Sequence, residues 1–406
     1  MKELEDKYIG LLLKRCINFL QSNSLLIHID LKEHLNFARR VEQKARYMGV
    51  KDVYIHVEDL DDIHDYLASV DVGDIAKDNF IDRSVWDLYA KRGGACLFLN
   101  SPVPKVMNNI DAGKINEWVL KRNKTSPYYR ENVGKYLFPW CIATLPNERW
   151  ASVVFPNDID AYDKLYMNIL KMCMVDKEDP IKAWQEWIDE NNYYKSILNE
   201  LEITRMHYLN SSGTDLYVYK PKNSIWLNLD KIDACGNKVI ANMPSYEIFT
   251  TPDYRKTEGI VYSSRPLIYN GCRIDDFYIE FKHGRAINCN AASGNKALES
   301  LVFSDQYTGC LGEVALVPND SPISNTNLIF YETLFDENAS CHLALGRGFH
   351  KTIPDYYKMS DEELYNNGLN LGNIHTDFMI GTSDLSIEAD TNKGKVLVFK
   401  DGNFNI

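Results

Sequence analysis

Residues 334–349, LFDENASCHLALGRGF, and residues 373–381, NIHTDFMIG, are where the reading of this chain begins. The first stretch sets Asp336, Glu337 and His342 within seven residues. The second sets His375 and Asp377 two apart, which on an extended strand means the same face. Phe378-Met379-Ile380 continues it as a buried strand. Two carboxylate-plus-imidazole pairs therefore fall in apolar surroundings. Burying an unpaired charge costs on the order of several kcal/mol. A divalent cation is the most direct compensation. A single His beside a carboxylate is more often a hydrogen-bonded structural pair. Two such pairs close together shift the balance toward metal.

The surrounding texture is that of strands. From about residue 204 helical periods vanish, and short apolar runs alternate with turn signals. These are Asn210-Ser211-Ser212-Gly213, Lys220-Pro221-Lys222-Asn223, Asn270-Gly271 and Lys282-His283-Gly284. They predict a β-rich α+β domain over 204–406 that carries the metal site.

Upstream the pattern changes. Leu4, Tyr8, Leu11, Leu12, Cys16, Phe19 and Leu20 lie on one face of a helix predicted over 3–21. Strands are predicted at 25–30, 53–57, 95–99 and 141–143. A helix over 35–48 is stopped by Gly49. Another covers 158–174, and Asp179-Pro180 opens a long one ending near Glu200. Alternating strands and helices predict an α/β domain over 1–203 with a mainly parallel sheet. The Gly93-Gly94 loop lacks the spacing of a nucleotide-binding loop.

Composition narrows the function. The chain has 406 residues and a net charge of −12. That opposes a nucleic-acid partner, which needs clustered Lys and Arg, and an anionic membrane surface. The charged start, MKELEDKYIG, is not a signal peptide. No apolar run approaches the roughly 18 residues of a membrane span. The nine cysteines form no CxxC and fall mostly in apolar runs, as reduced thiols do in a cytoplasmic protein. A nucleophilic Cys341 is the weaker reading, because strand neighbours point to opposite faces.

Two further blocks join the first two. Residues 242–252, NMPSYEIFTTP, hold Glu247, and residues 309–318, GCLGEVALVP, hold Glu313. A carboxylate within an apolar strand would ordinarily alternate out to solvent. The full set is Glu247, Glu313, Glu337, His342, His375 and Asp377. Structural zinc takes about four ligands, usually thiolates among them. Carboxylates and imidazoles without Cys suit two divalent ions sharing a bridging carboxylate. HExxH and GxSxG are both absent.

These four blocks resemble the signature blocks of the thermophilic metallo-aminopeptidases, the aminopeptidase T, S and PepS family (M29). The resemblance extends to Ser212-Gly213-Thr214-Asp215-Leu216, Trp150-Ala151, Val154-Phe155-Pro156, Asp179-Pro180 and Ala183-Trp184. It is densest over 205–381 and loose over the first 140 residues. It implies a cytoplasmic exopeptidase that removes N-terminal residues from short peptides with two divalent ions, zinc, cobalt or manganese. It also implies a homodimer whose sites face an enclosed cavity. Carried over position by position, Glu247, Glu313, Glu337, His342, His375 and Asp377 occupy the metal-site positions. Glu313 is the expected bridge, and Glu247 is the candidate general base.

One position departs from the pattern. Phe349 stands where the family usually has Tyr, losing a hydroxyl. Tyr356 or Tyr357 is the nearest replacement in sequence. The departure motivates a runner-up, a catalytically weakened homologue that binds metal and peptide. A metallophosphoesterase would use similar ligands, but few Lys or Arg flank the motifs to clamp a phosphate.

Overall fold

The computed structural model describes residues 1–18, 23–75, 77, 82–269 and 272–406. Phe19 and Leu20 of the expected first helix, and the Asn270-Gly271 turn, lie outside the described residues. The chain forms two compact units. One is Met1–Gln185 with Asp230–Pro244, and the other is Glu186–Leu229 with Ser245–Ile406. The expected limits, 1–203 and 204–406, divide the chain differently. Residues 230–244 return to the first unit, where Ile240 N donates to Cys16 O and Asn242–Met243 adds a strand. Texture along a chain does not register a segment that comes back.

The first unit is built on a parallel sheet, as the alternation predicts. Its strands are β1 (Ser24–Ile29), β2 (Asp52–Val57), β3 (Ala95–Asn100) and β4 (Trp140–Thr144). Their order is Asn242–Met243, β4, β3, β1, β2, and every pairing is parallel. β1 is buried throughout, as a strand covered on both faces must be. Between β1 and β2 runs the helix Leu35–Tyr47, which buries Phe37, Ala38, Val41 and Ala45. Gly49 follows it at φ 105°, a conformation that favours glycine.

Other helices differ from expectation at their ends. The first is Lys2–Leu11, continued by one π-helical stretch, Leu12–Cys16. The helix predicted over 158–174 is shorter, Ala161–Met172. Pro180–Glu200 starts as expected, with Asp179 Oδ1 accepting from Ile181 N and Lys182 N at 3.0 and 3.1 Å.

The second unit is β-rich. A nine-stranded sheet is antiparallel throughout its pairings. Its longest hairpin, Cys272–Lys282 with Arg285–Ser293, turns at His283-Gly284, both at positive φ, as a type I′ turn demands. The smaller sheet carries the site. Its strands are β5 (Leu227–Asn228), β6 (Ile248–Thr250), β7 (Leu311–Leu316), β8 (His342–Gly346) and β9 (His375–Met379), paired antiparallel in the order β9-β8-β7-β6-β5.

One face of the smaller sheet belongs to the apolar core. Ile248, Val314, Leu316, Leu343, Leu345 and Phe378 point there. By strand alternation the other face presents Phe249, Glu313, Ala315, His342, Ala344, His375 and Asp377. Among the described residues, no helix is long and apolar enough to cross a membrane.

Candidate metal centre

The row across the sheet is set by register. Glu313 pairs with Ala344, and Ala344 pairs with Asp377, so the two carboxylates flank one small side chain. His342 and His375 lie two residues along from members of that row, on the same face. Glu247 enters just before β6, and Glu337 ends the short helix Thr333–Glu337.

A bulge decides where Glu313 points. Leu311 pairs with core-facing Leu345, yet Glu313 pairs with Ala344, because the register shifts between Leu311 and Glu313. Without the extra residue, Glu313 would share the core face with Leu311. The bulge reverses the parity of the strand and turns the carboxylate to the site. Only glycine fits at the shift: a Cβ on Gly312 would lie 2.1 Å from Gly346 O.

The side chains meet as two groups. Ligating atoms of Glu247, Glu313 and His342 lie within 4.8 Å of one another, and so do those of Glu313, His375 and Asp377. Glu313 belongs to both. His342 Nε2 is 3.3 Å from Glu247 Oε2. His375 Nε2 is 3.1 Å from Glu313 Oε2 and 3.1 Å from Asp377 Oδ1. The pairing thus differs from the order in sequence, since His342 meets Glu247 and not the nearby Glu337. Asp336, also in the first stretch, is not part of the cluster. Its oxygens accept from Phe330 N and Glu332 N at 2.8 and 3.3 Å, tying down the turn before the helix.

Backbone carbonyls orient both imidazoles, a feature that no side-chain pattern reveals. His342 Nδ1 donates to Ser340 O at 3.1 Å, and His375 Nδ1 donates to Arg347 O at 2.6 Å. Each leaves Nε2 facing the carboxylates. Asn338 was also not foreseen. It is fully buried; its Oδ1 accepts from Tyr246 N at 2.6 Å and its Nδ2 donates to Leu334 O at 2.9 Å. It thereby links the approaches to Glu247 and Glu337.

The electrostatics show what the cluster lacks. Burial lifts the Glu313 carboxyl to about 7, with Asp377 adding to the rise and His375 opposing it. Burial, Asp377 and Glu247 hold Glu337 well above the usual carboxylate range. Burial alone would lower His342, but Glu247, Glu313 and Asp377 outweigh it and raise the imidazole to about 10. His375 is likewise driven well up, against burial, by Asp377 and Glu313. Asp377 is held low, against burial, by His375 and His342. Its Oδ1 is buried and has no well-aimed hydrogen bond among the described residues, despite the ion-pair distance to His375. Protons here do what a cation would otherwise do. The donor set, carboxylate and imidazole oriented by outer hydrogen bonds, fits divalent metal.

Cys341, beside His342, faces the other way. Burial pushes its thiol up to about 12, and Sγ donates to Val317 O at 3.3 Å, so it is a core residue.

A profile of the thermophilic metalloprotease (M29) family matches residues 1–404. The chain belongs to the M29 family. It is therefore a metallopeptidase. Aminopeptidase PepS of Streptococcus thermophilus is 32% identical to it over 409 residues, covering 100% of this chain and 98% of that protein. Aminopeptidase AmpS of Bacillus subtilis (strain 168) is 34% identical over 378 residues, 91% and 90% of the two chains. The solved structure of wild-type AmpT from Thermus thermophilus superposes with a TM-score of 0.90 at 25% identity, covering 100% of this chain and 99% of that one. The fold of this M29 member is thus the AmpT fold, with its parallel and antiparallel sheets.

The Phe349 ring, half-exposed, packs on both Phe249 and His375, with ring centroids 5.1 and 4.9 Å apart. It therefore borders the cluster. Neither nearby tyrosine takes its place. Tyr357 is 71% exposed and its hydroxyl meets Asp355 Oδ1 at 3.2 Å. Tyr356 packs against the small core of Ile353, Leu364 and Leu369.

Proposed function

We propose that this chain is a metal-dependent aminopeptidase that removes N-terminal residues from short peptides with two divalent ions. The observation that carries the reading is Glu313, whose carboxylate belongs to both ligand groups. Glu247 and His342 would hold one ion, His375 and Asp377 the other, and Glu313 would bridge them, with Glu337 completing the set. Zinc, cobalt and manganese all accept such ligands. When bound, the ions would supply Lewis-acid polarisation of the scissile carbonyl and acidify an attacking water.

The protein's own groups supply the rest. Glu247 is the general base in this reading. Its side chain keeps 14% exposure against 3% for Glu313, so it reaches arriving water and substrate. It takes the proton from the attacking water and delivers it to the departing amine. A carboxylate of the cluster, besides its place in the ligand set, pairs with the substrate's α-ammonium, which selects free N-termini. Ser340 O and Arg347 O hold the two imidazoles in place throughout. A homodimer in the cytoplasm accompanies this reading, supported by the family resemblance.

The weakened-homologue reading draws on Phe349 alone, whereas Glu247, Glu313, His342, His375 and Asp377 fall into the two ligand groups and Glu337 into neither. Hydrolysis of leucine p-nitroanilide and p-nitrophenyl phosphate, each with Zn²⁺, Co²⁺ or Mn²⁺, tests the reading. We expect turnover of the anilide only. Phosphate release without peptidase activity overturns it. Anomalous diffraction from metal-soaked crystals counts the ions, and a single ion would end the two-metal form of the proposal.

A further inference from the structure

The first unit contains a cavity of about 300 Å³ that shares no residue with the metal centre. His28, Asp30 and Glu58 line it from β1 and from the end of β2, and Asn100 closes β3 beside it. The strand order gives this place a meaning. β1 connects to β2 on one side, and the chain then crosses back to β3 on the other side of β1. Open parallel sheets bind ligands where the order reverses, outside the carboxyl ends of the strands.

The lining has an unbalanced set of hydrogen-bonding groups. Glu58 is paired through one oxygen only: Arg83 Nε donates to its Oε2 at 2.6 Å, and its Oε1 has no hydrogen-bond partner among the described residues. Arg83 also stacks on Trp86, its guanidinium carbon 4.0 Å from the ring centre. The histidines add no charge. Trp86 Nε1 donates to His56 Nδ1 at 3.2 Å, so that nitrogen is an acceptor, and His28 Nδ1, 3.0 Å away, must donate to it. Burial keeps both imidazoles low and neutral. Asp59, the next carboxylate, caps its helix through Asp61 N and Asp62 N.

Besides Glu58 Oε1, unsatisfied groups of both signs remain. Asp30 Oδ2 accepts from Ser101 N at 2.8 Å, but Oδ1 has no hydrogen-bond partner among the described residues. Arg122 stacks on Trp118 at 4.3 Å, but among the described residues its Nε has no hydrogen-bond partner, nor has Trp118 Nε1. Both charges are uncomfortable: burial lifts the Asp30 carboxyl to about 7 and pulls Arg122 down to about 10. A buried polar atom without a partner costs roughly 1–3 kcal/mol, and such atoms call for an explanation. A metal ion is a poor one here. His28, His56 and Glu58 come within 4.8 Å of one another, but Glu58 already serves Arg83 and the two imidazoles bond each other.

We propose that this cavity is a second binding site, for a small zwitterion carrying both an ammonium and a carboxylate, a free α-amino acid or a dipeptide. The ammonium pairs with Asp30 Oδ1, and the carboxylate with Arg122 Nε and Trp118 Nε1. The ligand's side chain lies against the aromatic wall of Trp86, Phe98 and Tyr129. A neutral molecule with separated charges satisfies unused groups of both signs and leaves the net charge of the cavity unchanged.

The test uses the full-length protein in EDTA, with binding read by tryptophan fluorescence and by equilibrium dialysis of labelled ligand. The probes are L-leucine and L-leucyl-glycine, with N-acetyl-L-leucine and L-leucine methyl ester as controls that lack one charge each. Whichever of the first two binds more tightly identifies the length. We expect the controls to bind at least tenfold more weakly. Asp30→Asn, Arg122→Gln and the gentler Trp118→Phe should each weaken binding about tenfold, while Glu313→Gln in the metal centre should not. Three outcomes overturn the proposal: no saturable binding of either probe at 10 mM, roughly the weakest affinity worth the name; equal binding of the controls; or binding lost in Glu313→Gln and kept in the Asp30, Arg122 and Trp118 variants.

Discussion

Nε2 of His375 lies 3.1 Å from Oε2 of Glu313, although 62 residues separate them. The contact exists because β8 lies between their two strands and Gly312 shifts the register by one residue. A carboxylate that alternation from Leu311 would have sent into the apolar core instead meets an imidazole.

Gly312 should therefore be intolerant of substitution. A methyl at its Cβ position would meet backbone atoms of Gly346 and Arg347 at 2.1–2.6 Å, and backbone is not free to move aside. Gly312→Ala is expected to cost about 1–3 kcal/mol or more in urea denaturation, as overpacking does. Activity should fall further than stability, because Glu313 is displaced. A variant with wild-type stability and turnover would show that the bulge does not aim Glu313.

Loading the metal-free protein should release protons. His342 sits at about 10 and His375 well above its ordinary value, so both are imidazolium at pH 7. Ligation requires neutral imidazole and ionised carboxylate, so the imidazoles should give up about two protons per chain and the raised carboxyls of Glu337 and Glu313 should add to that number, and apparent affinity should fall as pH falls. Calorimetric titration of Zn²⁺ in buffers of differing ionisation enthalpy measures the number. Excess EDTA should abolish peptidase activity and a divalent ion restore it. Full activity after chelation and dialysis would leave the metal reading without support.

Glu313→Gln and His342→Ala should each lower kcat/KM by at least about 10²-fold while circular dichroism stays native, by analogy with the loss of electrostatic catalysis. Near-wild-type turnover in either variant removes that residue from the mechanism.

Substrates should need a free α-amino group. Comparing leucyl peptides with their N-acetylated forms measures this, and equal rates would contradict an ammonium-binding carboxylate in the cluster.

Phe349 borders His375 without a hydroxyl to offer. An oxyanion donor is typically worth about 10²–10³ in kcat. Phe349→Tyr adds one oxygen to a half-exposed ring. It should raise kcat at least about tenfold with little change in KM, since the new interaction would strengthen only in the transition state. Tyr357→Phe should be silent, because its hydroxyl serves Asp355, and Tyr356→Phe should be silent too. Damage from either would mean that a phenol reaches the site by a movement not apparent here.

Much of the architecture was legible from local chemistry. The alternation of buried strands with amphipathic helices predicted the parallel sheet that β1 to β4 form. Asp179-Pro180 announced a helix start, and Asp179 does cap it. Lys282-His283-Gly284 announced a hairpin. The less legible features were helix ends, such as the late start at Ala161, and the return of residues 230–244 to the first unit. Asp336 illustrates the same limit within the site. It is as acidic as Glu337 and adjacent to it, but the turn before the helix takes both its oxygens.

By itself the sequence determined which segments are helix or strand, because caps, turns and periodicity act within a few residues. It also determined the chemistry of the candidate site, since carboxylates and imidazoles without thiolates are written in the side chains. Only the tertiary structure decided which groups touch. It set Glu247 against His342, made Glu313 common to both groups, and turned each Nε2 inward through the carbonyls of Ser340 and Arg347. Those outcomes depend on strand register and on backbone groups that every residue shares. Register is fixed by the packing of the whole sheet, where one added residue at Gly312 reverses the face of everything that follows.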